Sequence, residues 1–260
     1  MSQLTGLLAS LAAGDVRVVD LTNTLSSETP TIRLPEPFAN LVDFSLEEVS
    51  AYNEPGPFWK HQNISTGEHI GTHLDAPIHW VTGRGGKDVS QIEPPRLVGP
   101  ACVLDVSHEA AMDADFLVGV EHIKAWEDEH GPIPENAWLL VRTGWGAYAQ
   151  DPMRFLNADE AGAHTPGFTV ECAQWLADVA PISGVGVETV GIDAGLAPTM
   201  DPIFPLHHFL LGADKYGVTS LQNLDKLPAT GAVIVVAPLP IVGGTGSPAR
   251  VLAFVDGARG

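Results

Sequence analysis

Cysteine is nearly missing from this chain of 260 residues: Cys102 and Cys172 are the only two, and no CxxC pair exists. That excludes a disulfide scaffold and a thiolate zinc knuckle. Both sit in apolar runs, and the expectation is two buried thiols in a reducing, cytoplasmic setting. Basic side chains are also scarce, thirteen against thirty-two acidic ones, for a formal charge of −19. Such a field repels phosphate backbones and anionic bilayer surfaces, so neither nucleic acid nor membrane is an expected partner. It also disfavours strongly anionic substrates and assists release of an anionic product. No apolar run reaches the length of a membrane span. The N-terminal stretch lacks a leading basic residue, and Leu4, Leu7, Leu8 and Leu11 keep helical spacing up to Gly14. It reads as an amphipathic first helix stopped by that glycine. Internal repeats, low-complexity tracts and linker-like segments are absent as well, which predicts one domain over residues 1–260.

What the chain does have is turn-forming material: 27 glycines and 21 prolines, which point to short elements joined by long loops. Runs rich in β-branched residues predict strands at 16–21, 102–106, 138–142, 185–192, 232–237 and 250–255. Helical spacing predicts helices over 120–130, ended by Gly131-Pro132, and 170–180, with Thr169 as N-cap. Strands alternating with a few helices define a mixed α/β domain.

The densest chemistry lies in Glu68-His69-Ile70-Gly71-Thr72-His73-Leu74-Asp75-Ala76-Pro77-Ile78-His79-Trp80. Imidazole and carboxylate ligands suit first-row divalent ions. On a flat strand His69 and His73 would stand about 13 Å apart, too far for one ion. On a straight helix they would stack, but Asp75 would rotate away. The chain must therefore turn between the histidines and then run extended, and Gly71 is the residue able to take the required φ. His69, His73 and Asp75 become the metal ligands. His79 becomes a neighbour of the metal, able to accept a proton and return it. The competing interpretation, four scattered polar residues on a loop, must place all of them in eleven positions by coincidence.

The pattern His69-x-Gly71-Thr72-His73-x-Asp75-x-Pro77-x-His79 resembles the signature of the cyclase-like metal-dependent hydrolases, a family that includes formamidase and isatin hydrolase branches. Val18-Asp20-Leu21, Arg142-Thr143-Gly144-Trp145, Pro166-Gly167, Gly191-Ile192-Asp193 and Asn223-Leu224-Asp225 are similar to further family landmarks. The resemblance implies an α/β fold, a single cyclase-like domain with a mixed β-barrel-like sheet and flanking helices. It also implies a homodimer and amide hydrolysis by a metal-activated water. The formamidase branch uses two metals, with a glutamate where this chain carries Ser220, a poor ligand by comparison. The isatin hydrolase branch holds one metal and a serine that helps carry protons, and Ser220 fits that place. The later histidine of the pattern is His207 or His208.

The expectation from the resemblance is hydrolysis of a small aromatic cyclic amide, isatin to isatinate. One divalent ion would serve, manganese first and zinc second, with His79 and Ser220 as catalytic residues. Phe58, Trp59, Trp80 and His207 are the expected substrate contacts, and Leu34-Pro35 with Phe38 a further wall. An arylformamidase acting on N-formylkynurenine and a non-catalytic metal- or ligand-binding protein are the alternatives.

Overall fold

A computed structural model describes residues 2–33, 36 and 38–257. Ten strands carry the architecture: β1 (Val16–Asp20), β2 (Ser45–Ala51), β3 (Lys60–Ser65), β4 (His73–Asp75), β5 (Val98–Asp105), β6 (Ala137–Arg142), β7 (Ile182–Val187), β8 (Tyr216–Val218), β9 (Ala232–Pro238) and β10 (Gly246–Asp256). Seven of them close on themselves in the order β10-β9-β5-β6-β7-β8-β4, with β4 returning to β10. The run from β5 through β8 is parallel, and the remaining pairings are antiparallel. β1 adds to the outer half of β10. The mixed β-barrel with flanking helices is thus observed.

Strand alternation builds two cores. On β6, Trp138 and Leu140 point into the barrel, where they meet Leu74, Tyr216, Val218, Val236 and Val251. Leu139 and Val141 point outward against the helices, because a parallel strand buried on both faces needs apolar side chains at every position. The outer layer consists of α1 (Gln3–Ala13), which precedes the barrel, and α2 (Val120–His130) and α3 (Val170–Asp178), which pack Ile123, Trp126, Cys172, Ala173 and Leu176 onto it. The Thr169 hydroxyl accepts from the Cys172 amide as the expected N-cap. Both cysteines are buried, and burial raises their thiols to about 11 and about 12.

Two elements differ from the sequence reading. Helix α1 does end at Gly14, which adopts φ 78, but none of its residues is buried and Leu4 and Leu8 face outward. The strand expected over 185–192 stops at Val187, because Glu188 turns inward. Its carboxylate accepts from the amides of Thr143 and Gly144 and the hydroxyl of Thr143. Burial raises its pKa, and those three bonds offset only part of the effect. The Arg142-Thr143-Gly144-Trp145 landmark is therefore an architectural turn fastened by Glu188.

Candidate active site

The chain turns at Gly71, with φ 62, as the ligand argument requires. A Cβ there would lie 2.5 Å from Leu25 Cδ2, a side-chain end that can move, so it is the left-handed conformation that selects glycine. Beyond the turn, β4 is extended, and positions two apart share a face, which aims His73 and Asp75 together. Pro77 then opens a short 3-10 turn, Pro77–His79, that folds the chain back over the site. The His79 ring stacks on His69 with centroids 3.9 Å apart.

Asp75 is the centre. Its Oδ1 lies 2.7 Å from His69 Nδ1 and 3.4 Å from His73 Nε2, and its Oδ2 lies 3.9 Å from His207 Nε2. Burial favours its neutral form, but His73 and His69 outweigh this and hold it well below the usual carboxylate range. One donor atom from each of His69, Asp75 and His79 falls within a 4.8 Å cluster.

The surrounding hydrogen bonds set the tautomers. His73 Nδ1 meets the Gly71 carbonyl at 2.8 Å, which makes it the N–H and leaves the Nε2 lone pair facing Asp75. The Thr245 hydroxyl donates to Glu68 at 2.6 Å, so it accepts from His69 Nε2 at 2.8 Å. In the neutral ring, His69 Nδ1 is then a lone pair directed at a carboxylate oxygen. Two imidazoles and a carboxylate that converge in this way are the kind of donor set a divalent cation takes. The residues fit such an ion: the donor atoms that lie within 4.8 Å of one another come from His69, Asp75 and His79, whereas the expected ligand His73 faces the same carboxylate at 3.4 Å.

The His207 ring faces this centre, beside Asp75 and His79, whereas the His208 ring packs on Phe209. Asp193 fastens His207 through both its amide and its Nδ1. Burial opposes protonation of His207, but Asp193 outweighs it and raises the pKa, with Asp75 adding to the effect. His79 goes the other way. Burial, opposed by Asp75 and reinforced by His69, His207 and His73, lowers it to about 3. Trp80 lies against Phe204 at 5.5 Å and His207 at 5.1 Å, forming an aromatic wall.

Ser220 is buried and holds a left-handed φ of 54. The Thr72 hydroxyl fixes this loop by donating to the Ser220 carbonyl while accepting from the Asn23 amide. The neighbouring Thr219 hydroxyl lies 3.0 Å from His73 Nδ1. Phe58 and Trp59 are not brought to the site within this chain: both are exposed near the turn between β2 and β3, where Trp59 stacks on His61. Phe38 is exposed too, and Leu34-Pro35 lie outside the described residues.

Sequence reasoning missed the supporting residues Glu68, Thr245, Thr219, Phe204 and Asp193. Local signals existed without a role attached: Glu68 opens the histidine segment, and Asp193, Phe204 and Thr245 lie in Gly191-Ile192-Asp193, Phe204-Pro205 and Gly244-Thr245-Gly246-Ser247-Pro248, which are similar to family sequences. Thr245 stands 176 positions from the histidine it orients, and spacing within a motif cannot reveal such a partner.

Fold and site together define a histidine- and carboxylate-centred barrel protein, and residues 19–194 match the family described as "Putative cyclase"; the chain belongs to that family. Among its relatives is isatin hydrolase from Roseibium aggregatum, 45% identical over 99% of this chain and 98% of that protein. The structure of isatin hydrolase A from Ralstonia solanacearum superposes with a TM-score of 0.95 at 47% identity, covering 98% of each chain. An isatin hydrolase bound to the product analogue thioisatinate gives 0.95 at 45% identity, covering 98% of this chain and all of that one.

Proposed function

We propose that this chain is a metal-dependent hydrolase that opens isatin to isatinate. The observation that carries this reading is the convergence of His69, His73 and Asp75 beside His79, in a chain similar along its whole length to isatin hydrolases. A divalent ion bound there supplies Lewis acidity toward a carbonyl and a water. Manganese is the favoured ion and zinc the alternative.

The chain's own residues account for the rest. His79, stacked on His69 with a ring nitrogen in the same cluster of donor atoms, is placed to take the proton of the attacking water. The new C–O bond forms at the amide carbonyl, the ring C–N bond breaks, and the proton returns from His79 to the departing nitrogen. His207, oriented by Asp193, directs Nε2 toward the substrate oxygen. Trp80 holds the flat ring with offset or edge contacts. Ser220, beside Thr219, relays the proton outward. The product is an anion, and the net charge of −19 favours its departure.

The same reading takes residues 1–260 as one domain in a cytoplasmic homodimer. No helix among the described residues is long and apolar enough to cross a membrane.

The test is isatin absorbance with chelated protein, then with manganese or zinc restored, beside N-formylkynurenine as the competing substrate. Metal-dependent loss of isatin that outpaces attack on the formamide is the expected outcome. Preference for the formamide, or turnover unaffected by chelation, would overturn the reading.

A further inference from the structure

The scarce positive charge of this molecule gathers beside one cleft. Beyond His79 and Trp80 the chain runs Val81-Thr82-Gly83-Arg84-Gly85-Gly86-Lys87, rich in glycine and carrying two cations. Its local form follows from that composition. Arg84 takes φ −56 and ψ 125, Gly85 takes φ 82, and the Gly86 amide donates to the Gly83 carbonyl at 2.8 Å. This is a type II turn, whose second inner position calls for glycine. The flanking glycines let backbone approach backbone: a Cβ on Gly83 would lie 1.9 Å from the Pro77 carbonyl oxygen, and one on Gly86 2.9 Å from that of Gly83. Thr82 ties the turn to a third segment by donating to the His208 carbonyl at 2.6 Å. Between these segments lies a cleft of about 670 Å³, lined by Pro77, Arg84, Lys87, Gln91, Leu211 and Asp214 with the glycine backbone of the turn. That volume suits a small organic molecule.

Charge sets the cleft apart. Across the chain, acids outnumber bases by thirty-two to thirteen. Here a single lining carboxylate, Asp214, is answered twice: its Oδ2 lies 2.8 Å from Lys87 Nζ and 4.0 Å from Arg96 Nη1, and Arg96 also donates to its carbonyl at 3.1 Å. Arg84 is left over. It is exposed, and among the described residues it has no hydrogen bond, ion pair or ring contact. The carboxylates acting on Lys87 are Asp214 and Glu93, and they face three cations, Arg84, Lys87 and Arg96. A surplus of one balances a monoanion and falls short of the near-double charge of a phosphate monoester. The open guanidinium also has the planar fork that matches a carboxylate.

We propose that this cleft is a second ligand site, for a small organic carboxylate whose anionic end is held by Arg84 and Lys87. Arg96 stays on Asp214, so Lys87 can serve the ligand without stranding that carboxylate. The site is separate from the histidine cluster but adjoins it, because Pro77 both lines the cleft and opens the turn that carries His79. Two sources offer the chemistry: the aromatic carboxylate released by the proposed reaction, or a carboxylate from outside. Only the first rests on that reaction.

The test is isothermal titration of benzoate into the metal-loaded chain, with benzamide and inorganic phosphate as comparisons. Benzoate binding is expected, with benzamide inert and phosphate weaker. Arg84→Gln should weaken the benzoate site by about 10- to 100-fold, with metal content and Tm unchanged, whereas Arg17→Gln, which removes the same charge elsewhere, should leave it intact. Isatinate is titrated last: tighter binding than benzoate assigns the cleft to the enzyme's own product, and weaker binding assigns it to an outside carboxylate. Benzoate held only at the metal centre would be indifferent to Arg84→Gln, and that result would overturn the inference. So would absence of benzoate binding, equal loss in Arg17→Gln, or phosphate binding as tightly as benzoate.

Discussion

The segment from His69 to His79 and the arm formed by β2 and β3 follow one another in the sequence and obey opposite rules. In the first, His69, His73 and Asp75 each have two or more polar contacts, and Gly71 is held in a left-handed turn. In the second, the backbone is paired only with itself and the large side chains face outward. The segment shows how a chain fixes chemistry by itself, through donors set in advance. The arm shows a backbone ordered by its own pairing while its large side chains are left to solvent.

Four substitutions sharpen that contrast. The largest effect belongs to His79→Ala, expected to lower turnover by roughly 10²- to 10⁴-fold while metal content, measured by atomic emission, stays unchanged. Equal activity in that variant would remove His79 from the chemistry. Next is Thr245→Val, which frees His69 Nε2 and should weaken metal affinity by about 10- to 100-fold, read by competition with a chelating dye. Unaltered affinity would mean that the Glu68-Thr245 pair is scaffolding only.

Gly71→Ala tests whether the turn is as constrained as its contacts indicate. A non-glycine residue in the left-handed region costs about 1–2 kcal/mol, and the close approach to Leu25 adds to it. A fall in Tm of several degrees is expected in a scanning melt, where a comparable change on the exposed arm should be silent. The smallest effect lies outside both regions. His164 is raised above its ordinary 6.5 by its bond to Asp115, then by the charges of Asp115 and Asp159. A raised histidine stabilises fully below 6.5 and loses that contribution as pH climbs through its folded value. His164→Gln should therefore flatten the decline of Tm on the alkaline side of 6.5, and an unchanged slope would show that this surface tie carries nothing.

Legibility in the sequence followed the range of the interactions. Helix α2 falls where its spacing and Gly131 place it, because capping and periodicity are local. The turn at Gly71 was derivable because three ligands had to meet. By contrast, β4 and β8 have only three residues each, too short for any periodicity, and exist because their neighbours pair with them. Glu188 sits in a β-branched run and looked like strand interior; a buried carboxylate answering amides 44 and 45 positions away cannot be read from that run. Phe58 and Trp59 sat close to the motif in sequence, but proximity along the chain is not proximity in space once a hairpin carries them away.

The closure of the barrel also imposes an order in time. β10 is the last of the described strands, and it joins β4 to β9, while Thr245 just before it holds His69. A nascent chain whose ribosome has not yet delivered residues 245–256 already contains His69, His73, Asp75 and His79 but lacks the hydroxyl that orients His69 and the strand that closes the barrel beside β4. The site is therefore assembled last, and a chain cut short before Thr245 should emerge with an open barrel and a His69 that nothing orients.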